Sequence, residues 1–435
     1  MREKIRVFIR RPFIRDVAAL ASGSALSQVI GMAFAPVITR IYGPENIGIQ
    51  GVFLNIVGVF GSVAALTYPM AIALPRKESD AIALVKISVI AGIIFAILMS
   101  VLLLIAGNEF LAQINMEKIS PYKYLLPISM LFLVFSAVAG QWMVRRKKFI
   151  LTSKVTAWQT LIISIIKSSL GLLYPTVIVL IIASIIGNII TVLMLMSGFR
   201  NNKTTKLLEK IITITPRNLV KVGNEYIDFP LLRAPQVFLN SVSHSLPVIM
   251  LAAQFGPASA GYYTIALTVL TIPVGLVGGS VMQVFYPRIN EAYLKGKNVQ
   301  ELLTKATKGL ILIGVGPFIA VILFGPYLFE VVFGGDWKIA GDYARWLSLF
   351  IFMFYINRPA VAAIPILKLQ GGLLAYEVVS TSSKLLALYV GSLYFASDVA
   401  TIALFSGVGV LTYAWLILWV IRQSGKIGNT RKIHS

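Results

Sequence analysis

The chain has 435 residues, 57% of them hydrophobic and only 13% charged, with a mean hydropathy of +0.83. Soluble domains are usually about a quarter charged, so an ordinary water-soluble fold is excluded. Cysteine is absent and only His244 and His434 are histidine, which excludes disulfides and thiol chemistry and argues against a histidine-built metal site; no cofactor is expected.

Apolar residues fall in twelve runs, near 17–39, 47–73, 81–106, 122–143, 153–174, 176–198, 226–253, 260–286, 308–330, 344–367, 373–395 and 398–421. Each has about the 20 residues that span a bilayer as helix. The alternating pattern of an outer-membrane barrel is missing. The expected fold is therefore an all-α polytopic membrane protein, with twelve transmembrane helices in two six-helix lobes around a central cleft.

In chain order, the basic start MREKIRVFIRRPFIR leads into a long continuous apolar segment. No cleavable signal peptide is visible, so the first helix is expected to serve as its own insertion signal. The turn YGPENIG, 42–48, joins the first two helices, and the second ends in Pro75-Arg76. The longest break, 199–225, is basic and carries Leu207, Leu208, Ile211, Ile212 and Ile214. It reads as a cytosolic linker with a short helix on the membrane surface. The expected division is a lobe at 1–198, a linker at 199–225, and a second lobe with a short tail at 226–435.

The second lobe opens as the first does. FGPASAG, 255–261, joins the seventh and eighth helices, and the eighth ends in Pro287-Arg288. Gly43, Pro44 and Gly48 match Gly256, Pro257 and Gly261 at a constant offset of 213. A parallel internal repeat about an axis along the membrane normal explains this, and two such lobes are a transporter architecture. Prolines at 36, 69, 230, 247, 273, 359 and 365 fall in or near spans. They point to bent helices whose freed backbone groups find partners in protein or cavity water.

The net charge of +22 sorts by position. With the N-terminus in the cytosol, only Arg40, Lys118, Lys123, Lys338 and Arg345 of the 39 Lys and Arg fall in the opposite loops. Lys86, Lys167, Arg233, Arg358 and Lys384 fall inside spans, and the rest, among them Arg10, Arg11, Arg145, Arg146, Arg200, Lys203, Lys206 and Arg431, are cytosolic. This bias is the positive-inside rule and places both termini in the cytosol. The basic charge thus sets topology, with some attraction to anionic lipid, and no nucleic-acid partner is expected.

The charges inside spans are the chemical signal. A lone Arg at mid-membrane costs at least about 2.5–3.5 kcal/mol, so such residues face a bundle interior or a water-filled cavity. At 1.5 Å per residue, Arg358 lies about 14 Å from the cytosolic end of its span, Lys384 about 16 Å, Lys167 about 21 Å and Arg233 about 10 Å. Lys86 is near a helix end and is expected to snorkel, an option open to Arg233 too. Lys167, Lys384 and Arg358 are expected to line the cavity; the alternative is pairing with backbone carbonyls or a distant acid. Only Asp228 and Glu377 enter the spans as acids, as ion-coupling groups or, more simply, as counter-charges. The surplus positive charge suits an anionic substrate, especially a phosphate.

Gln28, Gln159, Asn240 and Asn357 are candidates for sugar hydroxyls, with interhelical hydrogen bonding as the plainer role. Tyr262, Tyr263, Tyr286, Phe354 and Tyr355 are candidates for stacking on sugars, against simple packing. No enzyme motif is present: Walker loop, HExxH and GxSxG are all missing. A membrane-embedded glycan polymerase or ligase would expose a sizeable outer loop with catalytic groups. The outer segments near 107–121 and 331–343 are short, and Asp336 and Asp342 read as a loop cap.

The opening DVAALASGSALSQVIGMAFAPVITRIYGPENIGIQGVF, with its YGPxxxG turn, resembles polysaccharide-biosynthesis flippases of the Wzx type. LFEVVFGGDWKIAGDYARWLSL, residues 328–349, resembles that family's FGxxW…A segment. The resemblance covers nearly the whole chain. It implies a bacterial inner-membrane flippase of the multidrug/oligosaccharidyl-lipid/polysaccharide superfamily. Such a protein moves undecaprenyl-pyrophosphate-linked oligosaccharide, an O-antigen or related repeat unit, from the cytosolic to the periplasmic leaflet by alternating access. Its expected partners are that lipid, membrane lipids and glycan polymerase or assembly machinery. The superfamily's drug exporters are the alternative, but they typically carry cleft acids. The peptidoglycan-precursor flippases usually have fourteen helices.

Overall fold

The computed structural model describes residues 12–113, 117–197, 215–295, 298–367 and 369–433, the side chains of 12–22, 110, 113, 276–284, 287 and 426–433 excepted. Among these the regular elements are all helices. We number the long ones α1 (Pro12–Gly61), α2 (Glu78–Gln113), α3 (Leu125–Arg145), α4 (Phe149–Leu173), α5 (Val177–Ser197), α6 (Ala234–Phe255), α7 (Pro257–Leu294), α8 (Val299–Phe333), α9 (Lys338–Ile356), α10 (Gln370–Phe395) and α11 (Asp398–Ile433). Eleven helices among the described residues are long and apolar enough to cross a membrane. Twelve spans were expected, and α1 accounts for the difference. Its 50 residues run through the turn at 42–48 and hold both of the first two spans, broken at Gly43.

That break has a backbone cause. Gly43 sits at φ 70°, ψ 172°, a region L side chains rarely adopt, and Pro44 then begins the next helical segment. The matching Gly256 between α6 and α7 has φ 90°, ψ 168°, again followed by proline. The repeat extends to side chains. Asn46 donates to the carbonyl of Pro175, just before α5, at 3.3 Å. Ser259, which holds the same place in the second repeat, donates to Asp398 Oδ2, at the start of α11, at 2.8 Å. Each half therefore ties its first turn to the start of its last helix.

Three other spans depart from simple rods. The second span ends as helix at Gly61; Leu66 and Thr67 take left-handed φ of 53° and 56°, and a short helix, Tyr68–Ala71, follows. Thr67 Oγ1 donates to the carbonyl of Phe229 at 2.9 Å and anchors this turn. The seventh span opens in a π-helical turn, Phe229–Arg233, where Pro230 removes a backbone donor. The tenth span breaks at Asn357: α9 ends at Ile356 and a short helix, Arg358–Ala363, continues. Pro359 lacks the N–H that would reach Tyr355, which explains the break.

By compactness the chain forms two units, Met1–Ala253 and Gln254–Ser435, parting one helix later than the expected division. The first unit is centred on Ile72, Ile82, Leu84, Val134, Trp142, Met143 and Leu195, with Val222 from the helix Pro216–Glu225. The second packs Ile289, Leu303, Ile364, Leu367, Leu416 and Val420. In the second unit α8 and α9 approach so closely that a Cβ on Gly341 would lie 2.5 Å from the Gly325 carbonyl oxygen. Small residues at such a contact replace the hydrophobic drive that lipid removes. The expected surface helix around Leu207, Leu208, Ile211, Ile212 and Ile214 lies outside the described residues.

Candidate functional site

The break at Asn357 sets Arg358 at the start of a new helical segment. Its guanidinium lies 4.2 Å from the centroid of the Phe354 ring, one turn earlier. Lys384, from α10, reaches the same place: its Nζ lies 5.6 Å from the Phe350 ring and 5.7 Å from the Tyr413 ring. Tyr413, from α11, packs at 5.6 Å on both Phe350 and Phe354. Three helices thus bring two basic side chains onto one aromatic cluster.

What the cations lack is as informative. Among the described residues neither forms an ion pair or donates a side-chain hydrogen bond. Arg358 Nε is buried without a partner, and so is Oδ1 of the adjacent Asn357, which is 2% exposed. Contact with an aromatic face contributes about 0.5–2 kcal/mol. Taking an ion out of water costs several kcal/mol. Both side chains are half-buried, and the rings orient these cations without neutralising them. Glu377 is exposed and pairs with neither.

The other candidates fall elsewhere. Lys167 is half-buried on α4 in the first unit, where its carbonyl accepts from the Tyr42 hydroxyl at 2.9 Å. Arg233 is exposed and donates to Gln236 Oε1 at 2.8 Å, as its shallow depth foreshadows. Asp228 is exposed just before the π-helical turn, and Asn240 is exposed on α6. Gln28 is half-buried with an unpartnered Oε1. Gln159 fits against Gly187 on α5, in keeping with an interhelical role. Tyr263 and Tyr355 are buried packing residues, and Tyr262 meets Trp337 and Tyr343 edge-on at 6.0 Å. The FGxxW segment is thus a packed corner, and Asp342 there pairs with Arg345 at 3.5 Å.

Sequence reasoning overlooked Phe350, Tyr413 and Tyr376. The signal was present: Phe350, Phe354 and Arg358 recur every four residues, as do Tyr376, Ser380 and Lys384. Each row lies on one helix face.

The family model described as "Polysaccharide biosynthesis protein" matches residues 37–341. No curated protein matches the chain. Among solved structures, an inward-facing multidrug resistance MATE family transporter of the MOP superfamily is similar with TM-score 0.72 and 14% identity, over 93% of this chain and 96% of that one. The lipid II flippase MurJ, in an inward closed conformation, is similar with TM-score 0.67 and 15% identity, over 95% and 90%. A MOP superfamily transporter from Pyrococcus furiosus, described as having a binding pocket of reverse polarity, gives TM-score 0.62 and 14% identity, over 94% and 95%. At these identities the structures share the fold. A multi-pass helical chain with a transporter fold, matched by that family over most of its length, belongs to the polysaccharide biosynthesis protein family.

Proposed function

We propose that this protein is a flippase that carries undecaprenyl-pyrophosphate-linked oligosaccharide from the cytosolic to the periplasmic leaflet of a bacterial inner membrane. The observation that carries the reading is the pair Arg358 and Lys384, seated on aromatic faces with no carboxylate of their own. A guanidinium presents two parallel N–H donors to a phosphate, and an ammonium adds a mobile point charge. Together they suit a pyrophosphate head. The reading keeps Lys167 and Arg233 as candidate contacts of the first unit, and Asp228 and Glu377 as candidate coupling groups. The prenyl tail stays in lipid and no covalent bond changes.

A drug exporter is the second reading. Its cationic substrates call for an acid at the site. Glu377, about two helix turns from Lys384 on the same helix, is exposed and, among the described residues, forms no ion pair with Arg358 or Lys384. The test is lipid mass spectrometry on cells lacking the protein, complemented with wild type or Arg358→Ala at equal expression. Undecaprenyl-pyrophosphate oligosaccharide is expected to accumulate in the null strain and to be cleared by wild type alone. No change in any lipid-linked glycan would sink the reading and turn attention to efflux.

A further inference from the structure

A cavity of about 540 Å³ opens in the second unit between the start of α8 and the later turns of α11. Its walls include Trp415, Trp419, Arg422, Gln423, Gly425 and Gln300. Ligand sites typically enclose about 300–1,000 Å³. Tryptophan near a span end often serves only as an interface anchor. Here Trp415 is 53% exposed and Trp419 half-buried, and what sets them apart is their stacking. The Trp415 and Trp419 rings are parallel within 4° at 5.8 Å, and Tyr376 from α10 stacks on Trp415 within 9° at 5.9 Å. A Cβ on Gly372 would lie 2.5 Å from Trp419 Cη2, so this glycine leaves the notch in which the indole lies. Gly425 does the same for the Gln300 amide, whose Oε1 would lie 2.5 Å from an added Cβ.

We infer that this cavity is a glycan subsite, in which a pyranose ring of the lipid-linked oligosaccharide rests on Trp415 and Trp419. The inference rests on the flippase reading. A pyranose presents a C–H face to flat apolar rings and hydroxyls around its edge. Gln300 and Gln423 each offer both an amide donor and a carbonyl acceptor, and Arg422 adds a fork of donors for hydroxyl, carboxylate or phosphate. An acyl chain would call for uniformly apolar walls, and a bare anion would not need the rings. The position also fits. Tyr376 continues to Tyr413 at 6.4 Å, and Tyr413 is the ring that Arg358 and Lys384 share through Phe354 and Phe350. Six residues of α11 separate Trp419 from Tyr413, about 9 Å of helix rise. A short glycan can therefore lie in the cavity while its pyrophosphate is on the cations.

The test uses the full-length chain purified in detergent and binding measured by thermophoresis, which does not depend on the tryptophans. The probes are the lipid-linked oligosaccharide extracted from cells lacking this protein, and undecaprenyl pyrophosphate without glycan. Trp419→Leu is expected to weaken binding of the intact lipid about ten-fold and to leave undecaprenyl pyrophosphate unaffected. Trp419→Phe keeps a flat ring and is expected to stay close to wild type, which separates loss of stacking from loss of fold. Arg358→Gln is expected to weaken both ligands. Equal weakening of both by Trp419→Leu, or of neither, overturns the glycan subsite and leaves the flippase reading intact. Absence of any accumulating lipid-linked glycan overturns the flippase reading, and the subsite with it.

Discussion

Arg358 shows what a half-buried charge inside a span requires. Nothing described neutralises it; one face rests on Phe354 and its Nε has no partner. A planar guanidinium stacks on the ring and still directs N–H groups outward, which an ammonium cannot reproduce. Arg358→Lys is therefore expected to cut clearance of the lipid-linked glycan about ten-fold, as measured by the rate at which the accumulated lipid disappears after induced expression. Lys384→Arg keeps both charge and ring contact and should cost much less. If the two substitutions act alike, charge alone matters and the stacked geometry does not. The cations themselves were legible in the sequence, because a charge inside an apolar run stands out by local contrast. Their seat was harder to see, since it joins positions 350–358, 384 and 413.

Helices here are shaped by their interruptions. Gly43 and Gly256 hold backbone angles that an L side chain adopts only with strain of about 1–3 kcal/mol. Gly43→Ala and Gly256→Ala should each lower the melting temperature of the detergent-solubilised chain. Gly407 is a fair control: it lies in α11 with no atom within 4 Å of an added Cβ. Alanine there should be neutral or raise stability by up to about 1 kcal/mol. Equal effects at all three positions would show that the turn geometry carries no strain. Pro359 poses a different question. Pro359→Ala restores a backbone donor and favours a continuous helix through Asn357, which would redirect the segment Arg358–Ala363 and the packing around the site. The expected result is an unchanged or higher melting temperature with reduced clearance of the lipid. The Gly-Pro turns were readable as a repeat in the sequence. The break at Asn357 was not, because prolines are tolerated inside many membrane helices and only packing decides which ones open.

Over the whole chain, the absence of cysteine gives a direct test of topology. Single cysteines in this background can be probed with a membrane-impermeant maleimide on spheroplasts. Asp336→Cys, in an expected outer loop, should label in intact spheroplasts, whereas Arg76→Cys, in an expected cytosolic loop, should label only after permeabilisation. The opposite pattern would invert the orientation and, with it, the direction of transport. The sequence by itself determined the all-helical character, the two-fold repeat and, apart from the kinked first helix that runs through two spans, the number of spans. It did so because bilayer thickness and the need to pair every backbone group act on each segment separately. The tertiary structure alone decided which side chains meet: that two cations share one aromatic cluster, that Trp415 and Trp419 are set parallel beside a cavity, and that Arg233 is exposed. Those outcomes depend on how helices far apart in sequence pack against one another, which no local pattern encodes.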